Sequence, residues 1–379
     1  MKTERAAGPL FVTAVAMLGL LSSMGAARAA PASRLLDCPL RDAPLSVESP
    51  FIDVLLNPAA RAMAQEASGK DFSTLPPLFT GTTPPTFAAI VTLREAVAFA
   101  GGDAAALPAL DARLRALPVT EADRRARCAR YDEERPALEV PRGKPALLLF
   151  EKINGFKDTP SVDAARVALQ ALAAREGWTL VVTDKAGVFK PRLLRRFDAV
   201  VWNNISGDVL TLTQRRAFQD YLQRGGGFVG LHGSAGDPAY FWDWYADGLL
   251  GARFAGHPTD PQFQEARITV DTQHPLAAGL PTDWRMTDEW YSFRSNPRAV
   301  GAQVVLSLDE SSYTRVSQFG GNLTMGDHPL AWSRCIGRGR MFYSAIGHLP
   351  ETYAQPQHVT LLTNALRWVA LAQSACSSH

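Results

Sequence analysis

The chain has 379 residues, of which 46% are hydrophobic and 20% are charged. This length suits one or two domains, and the apolar content is ample for a core. The 39 basic and 37 acidic residues nearly balance, and no cluster of basic residues with interleaved aromatics occurs. We therefore expect no electrostatic binding to nucleic acid or to an anionic membrane.

The first 29 residues have the pattern of a secretory signal peptide. Lys2 and Arg5 precede an apolar stretch from Leu10 to Met24, and Ala27-Arg28-Ala29 fits a cleavage site. The apolar stretch is short for a membrane span, and no later stretch is long enough for one. We expect a periplasmic or secreted mature protein, with no membrane attachment after signal cleavage. Its 36 basic and 36 acidic residues would give a net charge near zero.

Four cysteines are present, and an even number in an exported protein suggests disulfides. Sequence alone allows three pairings, and free buried thiols are the alternative. We favour Cys38–Cys128 and Cys335–Cys376, because each pair then falls within one proposed domain. None of the four follows a strand in a turn, so a catalytic cysteine is not expected.

Residues 30–140 form a helical N-terminal region in which we recognise no motif. A Pro/Thr-rich connection from Leu75 to Thr86 interrupts it. Helical periodicity occurs in four stretches, namely Pro50–Glu66, Phe87–Ala100, Ala105–Leu117 and Thr120–Glu134. The role of this region stays open.

From Pro145 onward strands and helices alternate. The apolar run Ala146–Phe150 is typical of a parallel strand covered on both faces. Thr159 is predicted to be an N-cap with Pro160 as the first helical residue, Gly177 is predicted to end that helix, and Thr211 to Gln214 predicts a capping box. Further strands are predicted at Trp178–Thr183, Ala199–Asn203, Phe228–Leu231 and Met341–Ala345. The alternation predicts an α/β domain with a doubly wound, mostly parallel sheet, flavodoxin-like in class, whose ligands bind beyond the carboxyl ends of the strands.

Histidines and aromatics follow several of these strands. The fourth strand runs into Gly230-Leu231-His232-Gly233-Ser234, a small–reactive–small pattern that holds an exposed side chain on a tight turn. Ser234 is predicted to cap the following turn. Later segments carry the same residue types, namely Phe241–Tyr245, Gly256–Pro258, Asp288–Tyr291, Gly326–Pro329 and Gly347-His348.

On these motifs, residues 145–373 resemble a ThuA-like (trehalose utilisation) domain, which has a class I glutamine amidotransferase-like fold. The segments that carry the resemblance are Phe228–His232, Gly256–Pro258, Thr287–Phe293, His328–Trp332 and Gly347-His348. The resemblance implies a role in carbohydrate metabolism, with oxidised (keto) derivatives of disaccharides and glucosides as ligands.

The same comparison excludes glutaminase activity. Amidotransferases of this fold carry a nucleophilic cysteine at the elbow, with a histidine and a glutamate after a late strand. Here the elbow residue is His232, and His348 and Glu351 follow the late strand. Without a thiol or hydroxyl at the apex, acyl-enzyme chemistry has no nucleophile.

One segment departs from the family pattern. After the first strand, ThuA-like sequences often have a histidine two residues after Gly-Phe, whereas this chain has Gly155-Phe156-Lys157-Asp158. A mechanism that needs that histidine is therefore in doubt, although Asp158 could bind a sugar hydroxyl or a cation.

His232, Glu289 and His348 are the candidate catalytic residues. A histidine on a strand-end turn can act as acid, base or metal ligand, or can merely hydrogen-bond the turn. Adjacent strand residues point to opposite faces, so only one of Asp288 and Glu289 should enter the pocket. We favour Glu289, and a salt bridge from it to Arg294 is the alternative.

The remaining candidates are substrate contacts. Trp242, Trp244, Trp290 and Tyr291 suit either a sugar-stacking surface or the core. Histidines before a proline, such as His257 and His328, are ligands or loop-fixing groups. The full predicted set is Asp158, Trp244, His257, Asp288, Tyr291, His328 and Trp332.

The leading hypothesis is an exported enzyme that acts on keto-glycosides or related sugars by acid–base chemistry. The alternatives are a non-catalytic sugar-binding or accessory module, and a structural partner that docks through residues 30–140. No cofactor is certain. Several histidines and a carboxylate could bind a divalent, zinc-like metal, but no His-x-x-x-His spacing requires one. The oligomeric state, including a homo-oligomer, stays open.

Overall fold

The computed structural model of the protein describes residues 35–141, 143, 145–317, 321–371 and 376. From Leu35 onward the chain forms one compact unit. The predicted signal peptide, residues 1–29, lies outside the described residues. Among the helices that are described, none combines the length and the apolar composition needed to cross a bilayer.

The N-terminal region is helical, as predicted, but its helices are shorter than the periodicity suggested. The stretch Pro50–Glu66 contains two helices rather than one, because the side chain of Asn57 accepts a hydrogen bond from the Ala60 amide and caps a second helix. The helices of this region are α1 Phe51–Leu56, α2 Pro58–Ser68, α3 Pro77–Thr80, α4 Leu93–Phe99, α5 Leu107–Arg115 and α6 Glu121–Cys128.

The rest of the chain contains eleven described strands and four further α-helices. The helices are α7 Thr159–Glu176, α8 Pro191–Leu194, α9 Leu212–Gln223 and α10 Pro356–Leu371. The strands are β1 Ala146–Phe150, β2 Thr179–Thr183, β3 Ala199–Trp202, β4 Gly227–Leu231, β5 Phe254–Gly256, β6 Phe263–Val270, β7 Asp283–Glu289, β8 Ser292–Phe293, β9 Gln303–Leu308, β10 Pro329–Ile336 and β11 Gly339–Ser344.

Nine of these strands form one sheet in the order β2-β1-β3-β4-β11-β10-β9-β6-β7. The first five are parallel, which confirms the predicted doubly wound part. β1, β4 and β11 are buried at every position, as expected where helices cover both faces. The last four strands add an antiparallel extension that the sequence did not predict. β5 and β8 pair separately.

The helix caps agree with the sequence patterns in two cases of three. Thr211 and Gln214 form the predicted capping box of α9, and Gly177 ends α7 in the left-handed conformation. The predicted N-cap at Thr159 is wrong. Asp158 caps α7 instead, since its side chain accepts the Ser161 amide and leaves Thr159 as the first helical residue.

Both favoured disulfides are present, Cys38–Cys128 and Cys335–Cys376. The N-terminal region also contacts two loops at the carboxyl edge of the parallel strands. The Thr86 amide donates to the Asn154 carbonyl at 3.0 Å, and the Ala239 amide donates to the Ile90 carbonyl at 3.0 Å. The helical region thus braces the loop after β1 and the loop beyond the elbow after β4.

Candidate functional site

The elbow after β4 presents His232 in a conformation that few residues adopt. Its φ is +31°, in the positive region that is strained for a side chain of this size. Tyr343 on β11 donates its hydroxyl hydrogen to the His232 carbonyl at 2.7 Å. The imidazole Nδ1 lies 2.7 Å from the Ala345 carbonyl oxygen. Because a carbonyl only accepts, Nδ1 carries a hydrogen, and in the neutral ring Nε2 bears the lone pair and lies 3.3 Å from His348 Nδ1.

His348 lies on the turn that follows β11, and a buried carboxylate holds this turn. The Asp288 oxygens accept hydrogen bonds from the amides of Gly347 at 2.7 Å, His348 at 3.1 Å and Leu349 at 3.0 Å. Gly347 has a φ of +138°, and a Cβ there would collide with the Tyr353 hydroxyl. The turn therefore needs glycine at 347, and Asp288 fixes the backbone from which His348 projects.

Glu289, at the end of β7, joins the two histidines. One carboxylate oxygen, Oε2, lies 3.1 Å from His348 Nδ1 and 3.5 Å from His232 Nε2. The other, Oε1, lies 3.3 Å from His257 Nδ1 and accepts a hydrogen bond from Gln262. The carboxylate is only 2% exposed. A buried charge of this kind needs such partners to offset its desolvation.

The cluster favours an ionised Glu289 beside a protonated His348. Burial by itself would raise the pKa of Glu289, but its contacts with His232 and His348 and the charge of His257 lower that pKa strongly. Burial by itself would lower the pKa of His348, but the hydrogen bond and the charge of Glu289 raise it above the usual value. The pairing of Glu289 with His348 contributes to both shifts.

The same three side chains could hold a metal ion. One ligand atom each from His232, Glu289 and His348 lie within 4.8 Å of one another. Two imidazoles and one carboxylate suit a divalent transition metal, and the hydrogen bond from His232 Nδ1 to a carbonyl is the outer support that ligating histidines commonly have. The two imidazoles and the carboxylate can therefore bind a metal ion, and they can equally well share protons through hydrogen bonds with one another.

Comparison with known proteins identifies the family. A family model described as ThuA, trehalose utilisation, matches residues 146–369, which is more than half of the 379 residues. The chain belongs to the ThuA family. The resemblance drawn from the sequence motifs is thereby confirmed, and the helical N-terminal region lies outside the match. No curated protein matches this ThuA protein.

Two solved structures of similar proteins are described as thua-like. A thua-like protein from Bacteroides uniformis ATCC 8492 is 25% identical to this ThuA protein, with a TM-score of 0.53, and the match covers 64% of this chain and 98% of the other. A thua-like protein from Parabacteroides merdae ATCC 43184 is 18% identical with a TM-score of 0.45, and the match covers 62% and 98% of the two chains.

Two of the predicted substrate contacts lie beside the catalytic candidates of the ThuA domain. The ring of Tyr291 stacks on that of His232 with 4.2 Å between their centroids. His257 contacts Glu289, and its Nδ1 also lies 2.8 Å from the Pro258 carbonyl. Asp158 is nearby as well, because its charge contributes to the raised pKa of His348, although its carboxylate is bonded to Ser161.

The structure does not bring four other predicted residues into the cluster as substrate contacts. Trp332 is fully buried and donates to the Leu250 carbonyl. Trp244 lies on a π-helical turn, Trp244–Leu250, and packs against Trp242 and Phe218. His328 is buried against Glu310. Asp288 directs both oxygens to the backbone amides of the His348 turn.

The expected difference from amidotransferases is visible in this geometry. His348 pairs with Glu289 from β7, whereas Glu351 is exposed. The predicted N-cap role of Ser234 is wrong. Its hydroxyl donates to the Trp202 carbonyl and accepts the Ile205 amide, so it ties the elbow to the end of β3 and is not available as a nucleophile.

Sequence reasoning missed three residues around the cluster. Gln262 bonds Glu289, and the rings of Phe156 and Phe263 both adjoin His348. Phe156 lies in the loop that follows the first predicted strand, so its position beyond a strand end was an available signal. Gln262 and Phe263 belong to the antiparallel extension, for which the strand-end rule gives no guidance.

Proposed function

We propose that this protein is an exported enzyme that acts on keto-glycosides or related oxidised sugars by acid–base chemistry. The observation that carries the proposal is the convergence of His232 Nε2, His348 Nδ1 and Glu289 Oε2, each within 3.5 Å of the other two, beyond the strand ends. The family description, trehalose utilisation, supports a carbohydrate as the substrate.

His232 is suited to the role of the base. Its Nδ1 hydrogen is held by the Ala345 carbonyl, so the neutral ring directs the lone pair of Nε2 toward the cluster. A ketone on a sugar ring acidifies the hydrogen on the adjacent carbon. In the proposed step Nε2 takes this proton, the electron pair of the C–H bond forms a C=C bond, and the C–O bond at the next carbon breaks.

His348 is suited to the role of the acid. Glu289 raises the pKa of His348 and so favours its protonated form, and among the described residues no hydrogen-bond partner occupies His348 Nε2. That atom can give its proton to the departing oxygen. The products are then an unsaturated keto sugar and a free alcohol, and later addition of water would complete a hydrolysis. The two histidines thus fill the two proton-transfer roles, His232 as base and His348 as acid.

The arrangement is unlike the site of an ordinary glycosidase, which has two carboxylates on either side of the bond. Here Glu289 is paired with histidines, and the neighbouring Asp288 is bound to three backbone amides. A mechanism that starts from an acidified C–H bond does not need the second free carboxylate.

A divalent metal held by His232, His348 and Glu289 is an alternative form of the proposal, in which His232 Nε2 would be a metal ligand and would not act as the base. Such an ion, when bound, would polarise the ketone oxygen and so acidify the adjacent C–H bond. This chain's residues would then supply two imidazole nitrogens and one carboxylate oxygen. Metal content measured on the purified protein, before and after chelation, tests this variant without an activity assay.

Turnover on paired glucosides and 3-keto glucosides, each with and without a chelator, tests the function. We expect conversion of the keto sugars alone. Loss of conversion after chelation, with recovery on adding the metal, would assign the histidines as ligands. Sugar binding without conversion would instead support the non-catalytic module. Conversion of the unoxidised glucosides at equal rates would contradict the proposed chemistry.

Export through residues 1–29 is part of the proposal. It is supported by the basic start, the short apolar stretch and the small-residue cleavage pattern of this segment. Mass spectrometry of the full chain expressed in a bacterial host should find a mature N-terminus after Ala29 in the periplasm or medium. An intact N-terminus in the cytoplasm would contradict it.

A further inference from the structure

Two large apolar rings are half-exposed beside a polar, buried cluster. Phe156 is 39% exposed and Phe263 is 38% exposed. Their ring centroids lie 6.4 Å and 5.1 Å from that of His348. They come from different parts of the sheet, Phe156 from the loop after β1 and Phe263 from the first residue of β6. Convergence of distant segments on one imidazole is not explained by core packing, because neither ring is buried.

Phe263 lies on a face of β6 that otherwise carries polar side chains. Along β6 the residues at alternate positions face solvent, and the other members of that face are Glu265, Arg267 and Thr269. Phe263 pairs directly with Glu289 across the antiparallel ladder, so the two side chains share a face. The phenylalanine thus stands on the side of the sheet where the carboxylate meets the histidines.

Phe156 is held in place rather than loose at its loop. Its amide donates to the Ser206 hydroxyl at 3.0 Å, and the Gly155 amide donates to the Ser206 carbonyl at 2.9 Å. A Cβ at Gly155 would collide with Ser206 and with Ile90 of the N-terminal region. The loop is therefore packed from two sides while its phenylalanine ring stays accessible.

We propose that Phe156 and Phe263 are specificity-determining residues that bind a pyranose ring beside His348; this inference rests on the proposed function. A pyranose ring has faces rich in C–H groups, which lose unfavourable contact with water when they stack on an aromatic ring. A site that combines such rings with a few fixed polar groups is the usual composition of a small-molecule pocket.

We expect an open groove beside Phe263 to bind the second unit of a larger glycoside. The groove has a volume of about 540 Å³ and is lined by residues that include Pro261, Phe263, Glu265, Ser311 and Tyr313. Phe263 borders both the groove and His348, so a disaccharide or other glycoside would place one ring at the cluster and its second unit over the groove.

Alanine substitutions of the two phenylalanines test the inference. Phe156→Ala and Phe263→Ala should each raise KM for a methyl 3-keto-glucoside about tenfold or more, with kcat changed less than threefold. Phe263→Ala should penalise a 3-keto disaccharide more than the methyl glycoside. Phe→Tyr variants should retain the wild-type KM and Phe→Leu variants should not, because a merely structural apolar role would tolerate leucine.

Phe99→Ala is the matched control, since it removes a ring that is 47% exposed from α4 of the N-terminal region; its KM should equal that of the wild type. Titration with the unoxidised methyl glucoside measures binding apart from turnover. A wild-type protein that neither binds nor converts any sugar would overturn the function and the inference together. A wild-type protein that converts keto sugars, with unchanged KM in both alanine variants, would overturn the inference alone.

Discussion

Among the residues that the structure describes, histidine contacts glutamate in two clusters, which differ in whether a ring nitrogen stays without a partner. In the first, His232 and His348 surround Glu289, and the His348 side chain is 15% exposed. In the second, His328 Nδ1 lies 2.9 Å from Glu310, its Nε2 donates to the Tyr291 carbonyl at 2.8 Å, and its side chain is wholly buried.

The two clusters contain the same residue types and differ in whether protein groups occupy both ring nitrogens of the histidine. Protein groups occupy both ring nitrogens of His328, so that ring can only hold its neighbours together. Glu310 is similarly engaged, because it also accepts the amides of Met325 and Gly326. The first cluster leaves His348 Nε2 without a partner among the described residues. A histidine becomes a candidate for chemistry when the fold leaves one nitrogen unoccupied at an accessible point.

The largest expected effect comes from His232→Ala. If the first cluster is catalytic, loss of the base should lower kcat by about 10²- to 10⁴-fold, with the Kd for a methyl glucoside within a few-fold of wild type. Steady-state kinetics and calorimetric titration measure the two quantities. Full turnover in this variant would remove His232 from the mechanism.

Glu289→Gln should give the next largest effect, a fall in kcat on the order of 100-fold. It should also change the pH profile. The acid role of His348 is present below the pKa of His348 and is lost as the pH rises through it. Glu289 raises that pKa, so Glu289→Gln should move the alkaline limb of the kcat profile to lower pH. An alkaline limb that stays in place would separate Glu289 from His348.

His328→Gln tests the second cluster, where we expect loss of stability rather than chemistry. Removing His328 leaves the largely buried Glu310 without one of its hydrogen-bond partners, at a cost of about 3 kcal/mol in the free energy of unfolding. Urea denaturation measures this. His232→Ala, measured alongside, should cost less stability, and the reverse order would contradict the division between a catalytic and a structural cluster.

Tyr291→Leu should produce the smallest effect. Tyr291 contacts both clusters. The Tyr291 carbonyl is held by His328, while its ring stacks on His232. Loss of the stacking should lower kcat by about 3- to 10-fold, and Tyr291→Phe, which keeps the ring, should stay near wild type. If the phenylalanine variant is as impaired as the leucine variant, the hydroxyl is involved rather than the stacked ring.

The fold and part of the site could be predicted from sequence because local patterns encode them. A run such as Ala146–Phe150 is apolar throughout because both of its faces are covered. Gly-Leu-His232-Gly marks an elbow because a reactive side chain next to a glycine directly follows an apolar strand. The alternation of side chains along a strand correctly separated Asp288 from Glu289, which contact different partners. Each of these inferences depends on neighbours within a few residues along the chain.

Other features were decided only by tertiary structure, because they depend on which distant segments pair. His257-Pro258 and His328-Pro329 are the same dipeptide in the sequence, yet one histidine contacts Glu289 and the other is enclosed with Glu310. Trp244 and Trp332 could not be distinguished from sugar-binding aromatics until their packing was known. Phe263 reaches His348 only because β6 pairs with β7 in the antiparallel extension. No local periodicity specifies that pairing, since it results from the burial of both strands against the rest of the sheet.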